Sequence, residues 1–163
     1  MTPQGKKFFA ELQKLAELDV QVGFTADKKG YNESHSSVDA SDYSDDTTVA
    51  EVAAWNEFGT KNADGTQHIP ERPFLRQSVD KYESQITAMV KQQLKTVASG
   101  ETADKALRAI GALQVGLIQH EIRNGGYEAN AESTIKQKKS SAPLIDEGHM
   151  RQSVHYVVKP RKG

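Results

Sequence analysis

Apolar residues recur at helical spacing in some stretches of this chain and alternate with polar ones in others, and that pattern lays out an order of elements. Phe8, Leu12, Leu15 and Ala16 form one stripe after Thr2-Pro3, a capping residue followed by a proline suited to a first helical turn. Near Asp19 the period changes. Leu18, Val20, Val22 and Phe24 alternate with Asp19, Gln21 and Gly23, which predicts a strand covered on one face.

From Thr25 to Asp46 the chain is dominated by Ser, Asp, Gly, Asn and Lys, with only Tyr31, Val38 and Tyr43 to bury. Such a stretch does not offset its own ordering entropy, so the expectation is a mobile loop or hairpin, an insertion at about 25–46. Periodicity resumes with Thr48, which with Glu51 makes a capping box, and Val49, Val52, Ala53 and Trp55 begin a short helix. Gly59 can end it in a left-handed cap, and Trp55 and Phe58 are expected as core anchors.

The segment His68-Ile69-Pro70-Glu71-Arg72-Pro73-Phe74-Leu75-Arg76 then offers two prolines that fix φ and push the preceding residues toward extended geometry. It reads as a stiff connector, with Pro73 suited to the first turn of the helix that follows. Leu75, Val79, Tyr82, Ile86, Met89 or Val90, and Val97 continue a three-four spacing to about Ala98, predicting one helix of roughly six turns. Ser99-Gly100 breaks the pattern and Thr102 can cap a second helix. Its stripe is Ala106, Ile110, Leu113, Leu117 and Ile118, stopped by Asn124-Gly125-Gly126, and the short connection predicts an antiparallel helical hairpin.

Beyond it, Asn130 starts a possible short turn through Ile135, and Asp146 is placed to cap a turn through Met150. Val154, Tyr156 and Val158 then alternate with His155 and Lys159 until Pro160 ends the strand. Two strands, one near each end, with helices between them predict an α+β fold. A small antiparallel sheet joins the terminal strands and packs against the helical hairpin and shorter helices. A third strand has two candidate positions, within 25–46 or around Gln67 to Ile69.

Four pieces of this sequence occur in a recognisable order. They are Glu57-Phe58-Gly59-Thr60, Ile69-Pro70-Glu71-Arg72-Pro73-Phe74-Leu75-Arg76, Asn130-Ala131-Glu132-Ser133-Thr134-Ile135-Lys136 with Lys139, and Pro143-Leu144-Ile145-Asp146-Glu147-Gly148-His149-Met150-Arg151-Gln152-Ser153-Val154. Over roughly residues 48 to 158 this set resembles the tail-completion or neck proteins, the head-tail joining components, of long-tailed bacteriophages. The polar stretch at about 25–46 departs from the shared motifs. The resemblance implies a structural virion protein, assembled in the host cytoplasm, that forms a homo-oligomeric ring of six around the DNA channel. Its implied partners are the tail tube or terminator protein on one rim and the head connector on the other, with genomic DNA passing non-specifically through the lumen. A tail terminator or minor tail protein is the alternative, and a phage-encoded DNA-binding factor or enzyme a more distant one.

Composition adds bounds to this picture. A chain of 163 residues, 36% of them hydrophobic, is long enough for one ordinary core and short for two, so one domain spanning 1–163 is the expectation. There is no cysteine, which removes disulfides and thiolate metal sites. Met1 to Phe9 carries two lysines without the apolar run of an export signal, and no window approaches a membrane span. The net charge of −1 conceals an asymmetry. Residues 25–47 carry −4, with Asp27, Glu33, Asp39, Asp42, Asp45 and Asp46 against two lysines, while residues 134–163 carry +5. Opposite patches can steer neighbouring copies into register, and an acidic loop at Asp39, Asp42, Asp45 and Asp46 is a candidate lining for a channel or an interface.

The chemistry-bearing residues form no catalytic pattern. Five histidines, at 35, 68, 120, 149 and 155, include no pair at ligand spacing along a helix. The sequence has neither a nucleophile elbow nor a phosphate-cradling glycine loop. Asp146, Glu147, His149 and Arg151 are the best acid-base group, yet Asp146 at a helix start and Gly148 at a turn read better as a structural cap. Glu71 reads as a lone carboxylate. No cofactor or metal is expected. The site prediction is therefore structural: Glu57, Phe58, Gly59, Ile69, Pro70, Arg72, Pro73 and Phe74 in the first two motifs, and Pro143, Leu144, Ile145, Asp146, Gly148, Met150 and Arg151 in the last.

Overall fold

In a computed structural model, the described residues are 2–24, 47–127 and 149–161. In chain order they form α1 (Pro3–Glu17), β1 (Leu18–Gly23), α2 (Val49–Phe58), β2 (Thr60–Lys61) and β3 (Gln67–Ile69). There follow α3 (Phe74–Asp80), α4 (Glu83–Ala98), α5 (Ala103–Asn124), α6 (His149–Gln152) and β4 (His155–Pro160). The fold is mixed helix and sheet, with the two near-terminal strands paired antiparallel against the long helices α4 and α5. The acidic positions Asp39, Asp42, Asp45 and Asp46, and the motif residues Pro143, Leu144, Ile145, Asp146 and Gly148, lie outside the described residues. So does the expected turn from Asn130 to Ile135.

The chain packs as two compact units, each assembled from separated stretches. One comprises Met1–Gly23, Ser78–Leu117 and His155–Gly163, and the other Phe24–Gln77 and Ile118–Val154.

In the first unit the local signals act as the sequence implies. Thr2 Oγ1 accepts from the Gly5 N–H at 3.1 Å, and Pro3 opens α1. Leu18 pairs with Pro160, Val20 with Val158 and Val22 with Tyr156, so the alternating apolar positions of both strands share one face. Gly111 of α5 lies against that face. A Cβ there would stand 2.7 Å from the Tyr156 ring and 2.9 Å from Val20 Cγ2, so only hydrogen lets the helix approach this closely. The fully buried residues include Val97 near the end of α4 and Ala103 at the start of α5. The link between these helices closes with Gly100 at φ 110° and the Glu101 N–H on the Thr96 carbonyl at 3.0 Å.

The single helix expected from Pro73 to Ala98 is instead two. The break falls at Lys81 and Tyr82, where Tyr82 adopts φ −114°, ψ 18° and heads α4 with no side-chain cap. Its carbonyl accepts from Gln85 and Ile86 at 2.9 and 3.0 Å. Neither proline nor glycine marks the place. The expected stripe on α3 also shifts by one position. Phe74 and Ser78 are fully buried while Val79 is exposed, and the Ser78 hydroxyl accepts from Gln114 Nε2 at 3.1 Å. A hydroxyl satisfied in this way occupies an interior position that a hydrophobicity pattern assigns to its apolar neighbour.

The second unit holds α2, whose capping box is complete. The Glu51 N–H donates to Thr48 Oγ1 at 3.2 Å, and the Thr48 N–H donates to Glu51 Oε2 at 2.8 Å. The Thr48 N–H, and then the Thr48 hydroxyl that donates to the same Oε2 at 2.8 Å, hold the Glu51 carboxyl below its ordinary pKa. Val49, Val52 and Ala53 are buried, Trp55 is half-buried, and Phe58 is 68% exposed. Phe58 is therefore not the core anchor expected, because it occupies the last helical position while the interior face ends at Asn56 and Glu57. Of the two candidate places for a third strand, Gln67–Ile69 is extended. It pairs with Thr60–Lys61 in a short hairpin whose turn is tied by Asp64 Oδ1, accepting from the Thr66 N–H and hydroxyl at 2.9 and 2.6 Å.

Candidate functional site

The first two motifs, which are separated in sequence by the β2–β3 hairpin, close on each other. Gly59 carries the chain out of α2 at φ 67°, ψ 169°, a region open essentially to glycine and outside the left-handed cap that was expected. A Cβ there would meet the Ile69 carbonyl oxygen at 2.9 Å and the Glu71 nitrogen at 3.0 Å, so the connector runs directly over the glycine. Thr60 pairs with Ile69 immediately beside it.

The connector is then fastened to α2 by polar groups. The Arg72 N–H donates to the Asn56 carbonyl at 2.7 Å, and Arg72 Nη1 donates to Asn56 Oδ1 at 2.7 Å. Asn56 Nδ2 in turn donates to the Val52 carbonyl at 2.9 Å. Arg72 is only 3% exposed, so the Asn56 amide oxygen receives its guanidinium in the interior. Pro73 removes one donor at the start of α3, and Phe74 enters the interior completely, its ring edge-on to Phe24 at 6.1 Å.

Glu57 is the centre of the arrangement and is 2% exposed. Its carboxylate accepts from the Leu75 N–H at 2.8 Å and the Arg76 N–H at 3.2 Å, two amides at the start of α3 that have no partner within the helix. It also accepts from Arg76 Nε at 2.9 Å, while Arg76 Nη2 donates to the Glu57 carbonyl at 2.8 Å and to Glu71 Oε1 at 2.5 Å. The two carboxylates, Glu57 first, hold the Arg76 guanidinium above its ordinary pKa. Glu71 is thus paired, where the sequence offered no partner. On its open side the guanidinium carbon of Arg76 lies 5.3 Å from the centroid of the Phe58 ring. The result is a rigid junction whose surface presents one aromatic ring backed by a fixed cation.

Seven of the eight expected residues of the first two motifs take part in this junction through contacts or backbone geometry: Glu57, Phe58, Gly59, Ile69, Arg72, Pro73 and Phe74. Pro70 is the half-buried residue between them. Sequence reasoning missed Asn56 and the pivotal role of Arg76, which stands in the I-P-x-R-P-F-L-R run. Nothing local signals either, because each partner lies 16 to 19 positions away. Of the last motif, Met150 is buried in the same unit, and the Arg151 carbonyl accepts from Gln119 Nε2 at 3.1 Å.

A second buried carboxylate in this unit, Glu121 on α5, accepts from the Tyr127 hydroxyl at 2.8 Å. Among the described residues no three His, Asp or Glu side chains are grouped to hold a metal ion, and no helix is long and apolar enough to cross a membrane. Both buried carboxylates of this unit receive donors, so the junction holds its elements in a fixed arrangement. Comparison of the chain with protein-family models, curated proteins and solved structures gives no match.

Proposed function

We propose that this chain is a non-enzymatic structural component of a bacteriophage particle, acting at the neck or the top of a long tail. The observation that supports it most is the closure of E-F-G-T on I-P-x-R-P-F-L-R. Two of the four pieces that carry the family resemblance lock α2, the connector and α3 together, which gives that part of the shared motif a mechanical role. In this reading, identical copies pack into a ring, most simply of six, between the tail tube or terminator and the head connector. DNA passes through the lumen without base contacts. Asp39, Asp42, Asp45 and Asp46 fringe that lumen and repel the phosphate backbone.

The test is the protein's place and quantity in mature particles. Imaging of purified virions at the head-tail junction, with protein quantification, is expected to find about one ring per tail. Its absence from finished particles overturns the proposal, and a content of many rings per tail replaces it with a tube protein. Reversing the four aspartates to lysine is expected to slow DNA ejection, and unchanged kinetics remove the lumen role.

A further inference from the structure

Among the described residues the β1–β4 sheet has two strands, and its backbone hydrogen bonding can be assigned residue by residue. The Arg161 N–H donates to the Glu17 carbonyl at 2.8 Å, one position beyond the Leu18–Pro160 pair. In an antiparallel ladder, bonded and non-bonded pairs alternate. Asp19–Lys159, Gln21–Val157 and Gly23–His155 are therefore the pairs that bond to each other. Leu18, Val20 and Val22 on one edge, and Tyr156 and Val158 on the other, turn their N–H and C=O groups outward. Pro160, which has no N–H, occupies an outward position, as the ladder requires. Among the described residues no further strand pairs with either edge.

We propose that the outward edge of β4 receives β1 of a second copy of this chain, so that the sheet continues from copy to copy. This is strand addition by an identical partner. Three features favour that occupant. The two outward edges belong to antiparallel neighbours, so β1 of the next copy beside β4 repeats the pairing already present within each copy. The outward backbone positions are also the positions whose side chains form the apolar face, so every outward pairing sets Val20 and Val22 beside Tyr156 and Val158 on one continuous face. Finally, charges on the opposite face complement each other. Within one copy Asp19 lies opposite Lys159 and its Oδ1 accepts from Arg161 Nε at 2.9 Å, and the repeated register sets the next copy's Asp19 opposite Lys159 in the same way, so acid and base alternate across the seam. Pairing β4 with β4 or β1 with β1 brings like charges toward each other. The contact is heterologous and leaves an outward edge at each end, so it generates rings or filaments rather than a closed dimer. The inference concerns self-association and does not rest on the phage reading.

The experiment is amide hydrogen exchange on the full chain across a dilution series, with sedimentation reporting association at each concentration. Association is expected to slow exchange at Val20, Val22, Tyr156 and Val158 by at least about tenfold. The Asp19, Gln21, Val157 and Lys159 amides are protected at every concentration. A chain that stays monomeric at all attainable concentrations, associates without slowing the first set, or protects that set when monomeric overturns the proposal. In a second arm, Asp19→Lys and Lys159→Asp are each expected to weaken association about tenfold alone and to restore it when mixed in equal amounts. Each substitution also sets like charges across the Asp19–Lys159 pair of its own chain, so both variants are first shown to be folded by circular dichroism and by protection of the Gln21 and Val157 amides. Failure of two folded variants to recover on mixing overturns the proposal, and if either does not fold the exchange arm decides it alone. Particle content, which tests the neck reading, is independent of both arms.

Discussion

Two helices in this protein begin against a glutamate supplied from elsewhere in the chain, and the two arrangements bind very different amounts of structure together. In the first unit Glu11 of α1, 6% exposed, accepts from the Ala103 N–H at the start of α5 at 2.8 Å and from Lys14 Nζ at 2.7 Å. In the second unit Glu57 caps α3, and it also holds Arg76, which reaches Glu71 and covers Phe58. Both carboxylates satisfy orphan amides that would otherwise be buried unpaired. The difference lies in the second partner. The two cations are about equally exposed, but Lys14 sits one turn along the same helix, whereas Arg76 belongs to the helix being capped and closes a loop of contacts back to α2. The comparison teaches that a buried carboxylate becomes an organising centre when its cation comes from a different element.

The largest effect expected from this difference is at Glu57. Glu57→Ala leaves the α3 amides and Arg76 without their acceptor, and is expected to cost about 3 kcal/mol in a denaturant titration. A loss no greater than that of Glu11→Ala would erase the distinction. Gly59→Ala comes next, at about 2 kcal/mol, because its Cβ meets backbone atoms of the connector and the dihedrals suit only glycine.

Glu11 sharpens the comparison through pH. The Lys14 ammonium and then the Ala103 N–H hold its carboxyl below the ordinary glutamate range in the folded state. A depressed carboxyl contributes stability that is fully present above the unfolded pKa and is lost as pH falls through the folded one. The stability difference between the wild type and Glu11→Gln is thus expected to shrink on acidification from neutral pH, in urea titrations at each pH. Glu51 and Asp64 are depressed as well, but they remain in both proteins and cancel in that difference. A gap that widens in acid contradicts the assignment.

The smallest effect is expected at Phe58. Because the ring is exposed, Phe58→Ala changes stability by less than about 0.5 kcal/mol. In the neck reading it instead lowers the yield of complete particles, as counted by electron microscopy. A large loss of stability would place the ring in the interior after all.

Much of the fold was legible because the signals are local. The Thr2 and Thr48 caps, the alternation in both terminal strands and the glycine-rich end of α5 each act within a few residues, where hydrogen-bond geometry and side-chain period leave little choice. The break between α3 and α4 was not legible. Val79, Tyr82 and Ile86 keep helical spacing across it, and the interior prefers Ser78, whose hydroxyl finds Gln114 on another helix. The site was half legible. The motif residues were identifiable as a set, but the partners that give them purpose, Asn56 with Arg72 and Glu57 with Arg76, are apparent only once the chain has turned back on itself.

The sequence by itself determined where α1, α2 and α5 start, which strand faces are apolar, and that the connector before α3 is stiff, because capping, period and proline geometry act between near neighbours. The tertiary structure alone decided that Glu57 is a cap for another helix, that Phe58 faces outward and that Gly59 and Gly111 are points of close approach. Those outcomes depend on which distant groups meet, and desolvation makes a buried charge worth keeping only where donors from other elements converge on it.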